Sequence, residues 1–338
     1  MLALSGLVGC GSEIIEAPGD EIGGSAESSE NTAGTDSETG SSSTSETSSS
    51  ESDTTTASDT TTDTASDTTT SDTTSDTTEG PSDCFSNADC EQGNCLEGDC
   101  VVVSSCKALA ELDTNSSLAD GVYQLDPDLG GPKLAYAAYC DMTTDGGGWT
   151  LVLKSDGNLD TFRYAAAEWA SVDPFQPEFP DLDRREAKLS SYASVGFDEL
   201  RIGMEYPPGI ALEPLVLAWI DVPLAGDSLH ALISPGMLVP TNVGRDTWKS
   251  LIAGASLQLN CNLEGLNVAP SGNTMDHRIR IGILGNDQNE CNSPNSRIGI
   301  GGDGNKCSAL PNATGNFAGC QADNGDVNSI GFGVVLVR

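Results

Sequence analysis

Apolar residues are nearly absent from positions 13 to 83, and they recur with regular spacing only from Ser104 onward. Within that later stretch the spacing predicts a series of elements. Ser104 and Ser105 suit an N-cap, so a short helix is expected through Leu112. Gly121–Leu125 reads as a strand, followed by a turn at Asp126-Pro127-Asp128. Tyr139–Met142 and Trp149–Lys154 read as strands, and Asp181–Tyr192 carries a helical pattern with Asp181 or Asp183 as cap. Leu215–Val222 is strand-like, and Gly244–Ala253 reads as a helix with Asp246 in its first turn. Arg278–Leu284 alternates like a strand, and Gly331–Arg338 is the last one. Gly285–Ile330 is rich in Gly, Asn and Asp with little periodicity, so it is expected as loop ordered by cysteines and an ion. Residues 104–338 are thus expected to be an α+β domain: mixed, mostly antiparallel sheet, few short helices, and long loops stabilised by disulfides and ions.

Composition adds what lies upstream. Residues 11–83 are Ser, Thr, Asp, Glu and Gly in runs such as SDTTTDTASDTTTSDTTSDTTEG, with too little apolar surface to offset the entropy of ordering. They are expected to be a disordered stalk, and about 70 coil residues span roughly 45–50 Å, more with charge repulsion. The chain of 338 residues carries a formal charge of -36, and its first basic residue is Lys107. Nucleic acid is excluded as a partner, since phosphate binding needs a basic face. The acidity leaves carboxylates for a hard cation. No run of 18 apolar residues exists to span a membrane as a helix. Residues 1–10 end in Leu7-Val8-Gly9-Cys10, which resembles the lipobox of bacterial lipoproteins. That likeness implies an acylated Cys10, a lipid anchor, and a cell-surface or extracellular location. The rest of the signal peptide, a basic n-region and a longer apolar stretch, is expected upstream of Met1.

Ten further cysteines in an exported chain favour disulfides. Residues 84–103 form a small module, CFSNADCEQGNCLEGDC and three valines, that bridges rather than an apolar core must hold. Its four cysteines allow three connectivities. A zinc site is disfavoured by the absence of CxxC pairs. Similarity to short extracellular repeats implies Cys84–Cys95 and Cys90–Cys100.

The text from Cys106 to Leu151 is the most specific. SCKALAEL, DGVYQLDPD and YCDMTTDGGGWTLV resemble the opening of the fibrinogen C-terminal domain family, which includes ficolins, and of the related intelectin lectins. The resemblance implies a fibrinogen-like fold, a Cys106–Cys140 bridge, and a glycine turn at Gly146-Gly147-Gly148 behind which Trp149 anchors the core. Toward the end, RIRIGILGNDQNECNSPNSRIGIGGDGNKC and FGVVLVR are similar to an intelectin end. Cys307 and Cys320 have the spacing of a cysteine pair beside a calcium loop in fibrinogen domains, and Cys261–Cys291 follows by elimination.

Two motifs are set aside. Gly226-Asp227-Ser228-Leu229 spells an esterase signature, but no Asp-x-x-His follows; Thr274 stands three residues before His277, and His230 is the other histidine. Gly299, Gly301 and Gly304 have dinucleotide-fingerprint spacing without room for a helix before Pro311. No catalytic dyad is present, so no enzyme is expected. Asp156-x-Asn158-x-Asp160 opens like a calcium loop but lacks the Gly and Glu of an EF-hand; it follows the strand after which intelectins place part of a metal site. Together with Asp287, Glu290, Asp303, Asn305, Asp323 and Asp326, these residues are the expected calcium ligands, hard oxygens without clustered His or thiolate. The expected function is calcium-dependent binding of glycans or cell-surface ligands. The alternative is a structural adhesion or protein-binding module with no sugar ligand.

Overall fold

The structure, a computed structural model, describes residues 84–210, 213–270, 275–308, 310 and 312–338. The expected anchor at Cys10 and the expected stalk lie outside the described residues. The four-cysteine segment folds as a hairpin of β1 (Asn94–Leu96) and β2 (Asp99–Val101), bridged by Cys84–Cys95 and Cys90–Cys100. The sulfurs of Cys84, Cys90 and Cys100 lie within 4.8 Å of one another. All three are oxidised, so no thiolate is left for zinc. The buried Asn94 side chain donates to the Gln124 carbonyl at 2.8 Å and accepts from the Gln124 amide at 2.9 Å. Its amide thereby imitates a neighbouring strand and caps a sheet edge.

Helix α1 (Cys106–Leu112) begins at Ser105, whose hydroxyl accepts from the Ala108 amide at 3.1 Å. The strands that follow are β3 (Gly121–Leu125), β4 (Tyr136–Asp141), β5 (Trp149–Asp156), β6 (Ala187–Lys188), β7 (Phe197–Glu205) and β8 (Ala218–Gly226). Short helices α2 (Ser191–Ser194), α3 (Leu229–Ile233) and α4 (Arg245–Lys249) flank them. Then come β9 (Val239–Pro240), β10 (Asn260–Val268), β11 (Ile279–Asn286), β12 (Ser296–Ile300), β13 (Thr314–Ala318), β14 (Val327–Ile330) and β15 (Phe332–Val337). They make two larger sheets. One runs β3-β4-β5-β15-β7-β8 with β6 beside β5, and the other runs β14-β13-β12-β11-β10-β9. Strand β15, apolar and buried at every position, inserts between β5 and β7. Main-chain pairing thus ties the C-terminus to the domain's opening. The larger core joins both sheets, with Leu200, Ile202, Val335 and Val337 from one and Leu266, Ile281, Ile283, Ile298 and Ile300 from the other. Further bridges join Cys106–Cys140, Cys261–Cys291 and Cys307–Cys320.

Three expectations are corrected. The strand pairings among the described residues are antiparallel throughout, so the sheet is not mixed. Residues 181–192 do not form one helix; they hold β6 and the first two residues of α2. Lys154 is fully buried, and its ammonium donates to the Asp181 carbonyl at 2.7 Å and the Asp183 carboxylate at 2.6 Å. Satisfying that buried charge holds the segment extended. The third correction concerns 285–330, which is not loop throughout but contains β12, β13 and β14. There, Gly265 pairs with Gly282, Gly282 with Gly299, and Gly299 with Gly315, a row of glycines across four strands. A Cβ on Gly299 would lie 2.0 Å from the Ile281 carbonyl oxygen, and one on Gly315 2.0 Å from that of Ser329. Glycine, which reads as loop in a sequence, is here what lets the strands approach.

Candidate functional site

The GGGW turn builds structure first. Trp149 is fully buried, with the Arg201 guanidinium 4.1 Å and the Arg338 guanidinium 4.2 Å from its ring centroid. Arg338 also donates to the Asp145 and Gly147 carbonyls at 2.8 and 3.1 Å, so the C-terminal residue clamps the turn.

Strand β5 delivers the first cation candidate at its end. Asp156 Oδ1 accepts from the Asn158 backbone amide and side chain, each at 2.9 Å. Asp160 pairs with Arg163 at 2.6 Å. Behind the loop stands Glu186, a residue that the sequence reading placed inside a helix. It is 4% exposed; Oε1 accepts from the Asp156 amide at 2.9 Å, while Oε2 is buried without a partner. Burial pushes the Glu186 carboxyl up, and the Asp156 charge adds to this against the hydrogen bonds from Thr161 and the Asp156 amide. A buried, unpartnered carboxylate oxygen beside Asp156 is a hard-oxygen donor set, which fits a divalent cation.

The C-terminal candidates are dispersed. Asp287 accepts from Asn295 at 2.7 Å and Gln288 at 2.5 Å. Glu290 accepts from Asn286 and Ser293, each at 2.6 Å, and from the Asn292 amide. Asp303 is paired with Arg278 at 2.8 Å, and the exposed Asn305 touches the Met275 carbonyl through its amide at 3.0 Å. Asp323 is held by Arg245 and Lys249, each at 2.6 Å. Burial opposes its ionisation, but Lys249, the Leu257 amide and Arg245 hold the carboxyl well below the usual range. Asp326 accepts from the Gln321 amide at 2.8 Å. Among the described residues, no three of the candidate carboxylates bring oxygens within 4.8 Å of one another. Protein cations neutralise Asp303 and Asp323, so this set does not fit a calcium ion as placed.

The motifs set aside above have structural roles. Ser228 caps α3, its hydroxyl accepting from the Ala231 amide at 3.0 Å. His230 contacts the Ala170 carbonyl at 3.1 Å. His277 is buried, stacked on Phe317 at 4.9 Å, and donates to the Lys306 carbonyl at 3.1 Å. Gly299 lies within β12. A cavity of about 520 Å³ opens between Arg184, Glu205, Tyr206, Pro207, Gly209 and Val216. Arg184 donates to both oxygens of Glu205 at 2.6 Å and to the Ile210, Glu213 and Pro214 carbonyls, fixing its floor.

Residues 104–191 match the family model described as fibrinogen beta and gamma chains, C-terminal globular domain. The match ends at residue 191, and the expected likeness of the C-terminal part to intelectins lies outside it. Veficolin-1 from Varanus komodoensis is 30% identical over 118 residues, 34% of this chain and 48% of that protein, so the chain spans about half the length of that relative. Among solved structures, the fibrinogen-like globe domain of human ANGPTL6 aligns with 70% of this chain and 95% of its own at 16% identity, with a TM-score of 0.34.

Proposed function

Taking residues 104–191 as a fibrinogen C-terminal-type segment, we propose that this chain is an extracellular recognition protein, anchored through an acylated Cys10, whose domain binds carbohydrate with calcium. The match to Veficolin-1 supports a binding role rather than catalysis. The observation that carries the calcium assignment is the partnerless buried Oε2 of Glu186 behind Asp156. Asp156, Glu186 and the side-chain oxygen of Asn158 would hold the ion. Calcium, when bound, supplies a hard positive centre whose open positions accept vicinal hydroxyls. The chain's own part is to bury the Glu186 carboxylate behind Asp156, at a desolvation cost and with a repulsion from the Asp156 charge that the ion removes.

A glycan array read with and without chelator, beside melting curves across a calcium titration, tests this reading. Calcium is expected to raise the melting temperature, as binding to the native state must. Glu186→Gln should remove most of that rise, and chelator should erase the array signal. A flat melting temperature at millimolar calcium, or array binding indifferent to chelator, would overturn the calcium assignment. The exposed apolar Tyr206, Ile210 and Val216 around the Arg184–Glu205 cavity favour a second reading, a protein-binding adhesion module. A blank array from folded protein would point to it.

A further inference from the structure

The chain has 15 basic residues against 51 acidic ones. Four of the basic residues, Arg163, Arg278, Arg280 and Arg297, nonetheless gather around Tyr164 and Asp303. Arg278 precedes β11 and Arg280 lies in it, two residues apart on one side of the strand. Their guanidinium carbons stand 5.1 and 4.3 Å from the Tyr164 ring centroid. Arg163 comes from the loop after β5, beside Tyr164. Arg297 in β12 is buried and donates to His277 Nδ1 and, at 3.2 Å, to the Asn312 carbonyl. Asp303 lies in the field of Arg278, Arg163 and Arg297 together.

The charges do not balance. Asp303 pairs with Arg278, and the mostly exposed Asp160 pairs with Arg163. Arg280 donates to the Tyr164 carbonyl at 2.7 Å and to Asn267 Oδ1 at 2.6 Å, both uncharged. Arg297 likewise has uncharged partners, and Arg278 Nε is buried without one. Four guanidinium groups thus face two carboxylates. Half-buried cations without counter-charge are costly unless something completes them, and an oxyanion accepts from guanidinium in fork geometry. The site is reachable, since the Arg163 and Arg278 side chains are 30% and 22% exposed. The surroundings bound the ligand. A long polyanion would meet the repulsion of a chain at -36, whereas one acidic group is screened from distant charge beyond about 8 Å at physiological salt.

We infer that Arg163, Tyr164, Arg278 and Arg280 form a site for a single oxyanion, a carboxylate or phosphate, on a terminal sugar. This rests on the carbohydrate reading and names its ligand class. The full chain, with calcium, is titrated calorimetrically with four matched disaccharides: cellobiouronic acid, its methyl ester, cellobiose 6′-phosphate and cellobiose. At least one charged sugar should bind tenfold or more tighter than the ester and cellobiose, and the stronger of the two identifies the oxyanion. Arg280→Gln should lose at least tenfold of that affinity. Arg163→Gln, whose carboxylate partner Asp160 is mostly exposed, should lose several-fold without changing the melting temperature. Equal binding of acid and ester, no binding of either charged sugar, or unchanged affinity in Arg163→Gln overturns the inference. Tight binding of a single-stranded oligonucleotide in place of the sugars overturns it too. Neutral glycans still bound on the array would leave the carbohydrate reading standing; no saccharide bound at all would remove both.

Discussion

Gly299→Ala tests the glycine row directly. Gly299 sits mid-strand at φ +144°, paired with Gly282 on one side and Gly315 on the other. Alanine meets two penalties. The backbone conformation is unfavourable for any L side chain, at about 1–3 kcal/mol. The added Cβ would also lie 2.0 Å from the Ile281 carbonyl oxygen and 2.7 Å from the Gly282 Cα. Those atoms belong to a paired strand between two others, so they cannot retreat without breaking ladder hydrogen bonds. The sum should exceed about 4 kcal/mol, the range of severe single substitutions. At about 2–4 °C per kcal/mol for a domain of this size, the melting temperature should fall by roughly 10 °C or more. Gly254→Ala is the control, because Gly254 also has positive φ (+77°) but nothing within 4 Å of a built Cβ. It should cost about 1 kcal/mol, the conformational penalty alone. Both are read by urea unfolding with linear extrapolation. If the two variants differ by less than about 1 kcal/mol, the close approach of these strands is not how the protein folds in solution.

Arg184→Ala leaves Glu205, whose side chain is 4% exposed, without its ionic partner, so about 3–5 kcal/mol of stability should be lost. The double variant Arg184→Met/Glu205→Leu should regain most of it; a double variant as unstable as the single one would refute the pairing argument. His277 is pulled down to about 3, first by burial and then by Arg297. The folded state therefore keeps it neutral while the unfolded chain protonates near its ordinary value of about 6.5. Its contribution is complete above that value and is lost as pH falls toward 3. Urea midpoints of the wild type should drop between pH 7 and 4 more steeply than those of His277→Gln, and parallel slopes would contradict this.

Local chemistry was legible where it lay within a few residues. The Ser105 cap, strands β3 and β5, the closing strand and the apolar emptiness of residues 13–83 follow from capping, alternation and composition. The glycine turn before Trp149 was readable too, but not the two arginines on the Trp149 ring, one from β7 and one the C-terminal residue. The helix expected across 181–192 failed because its periodicity was genuine but irrelevant: a buried Lys154 claims the Asp181 carbonyl and the Asp183 carboxylate. That same misreading hid Glu186. Strands β12 to β14 escaped notice because glycine carries no side chain to alternate, and its reason for being there, a carbonyl of the neighbouring strand, exists only after pairing. The acidic residues that qualify as ligands by type alone show the limit most clearly. Sequence supplies the carboxylates of Asp303 and Asp323, but tertiary structure sets arginine and lysine against them and leaves Oε2 of Glu186, not the whole group, without a partner. A carboxylate's identity is local, whereas its availability to a cation depends on charges brought near it from distant parts of the chain.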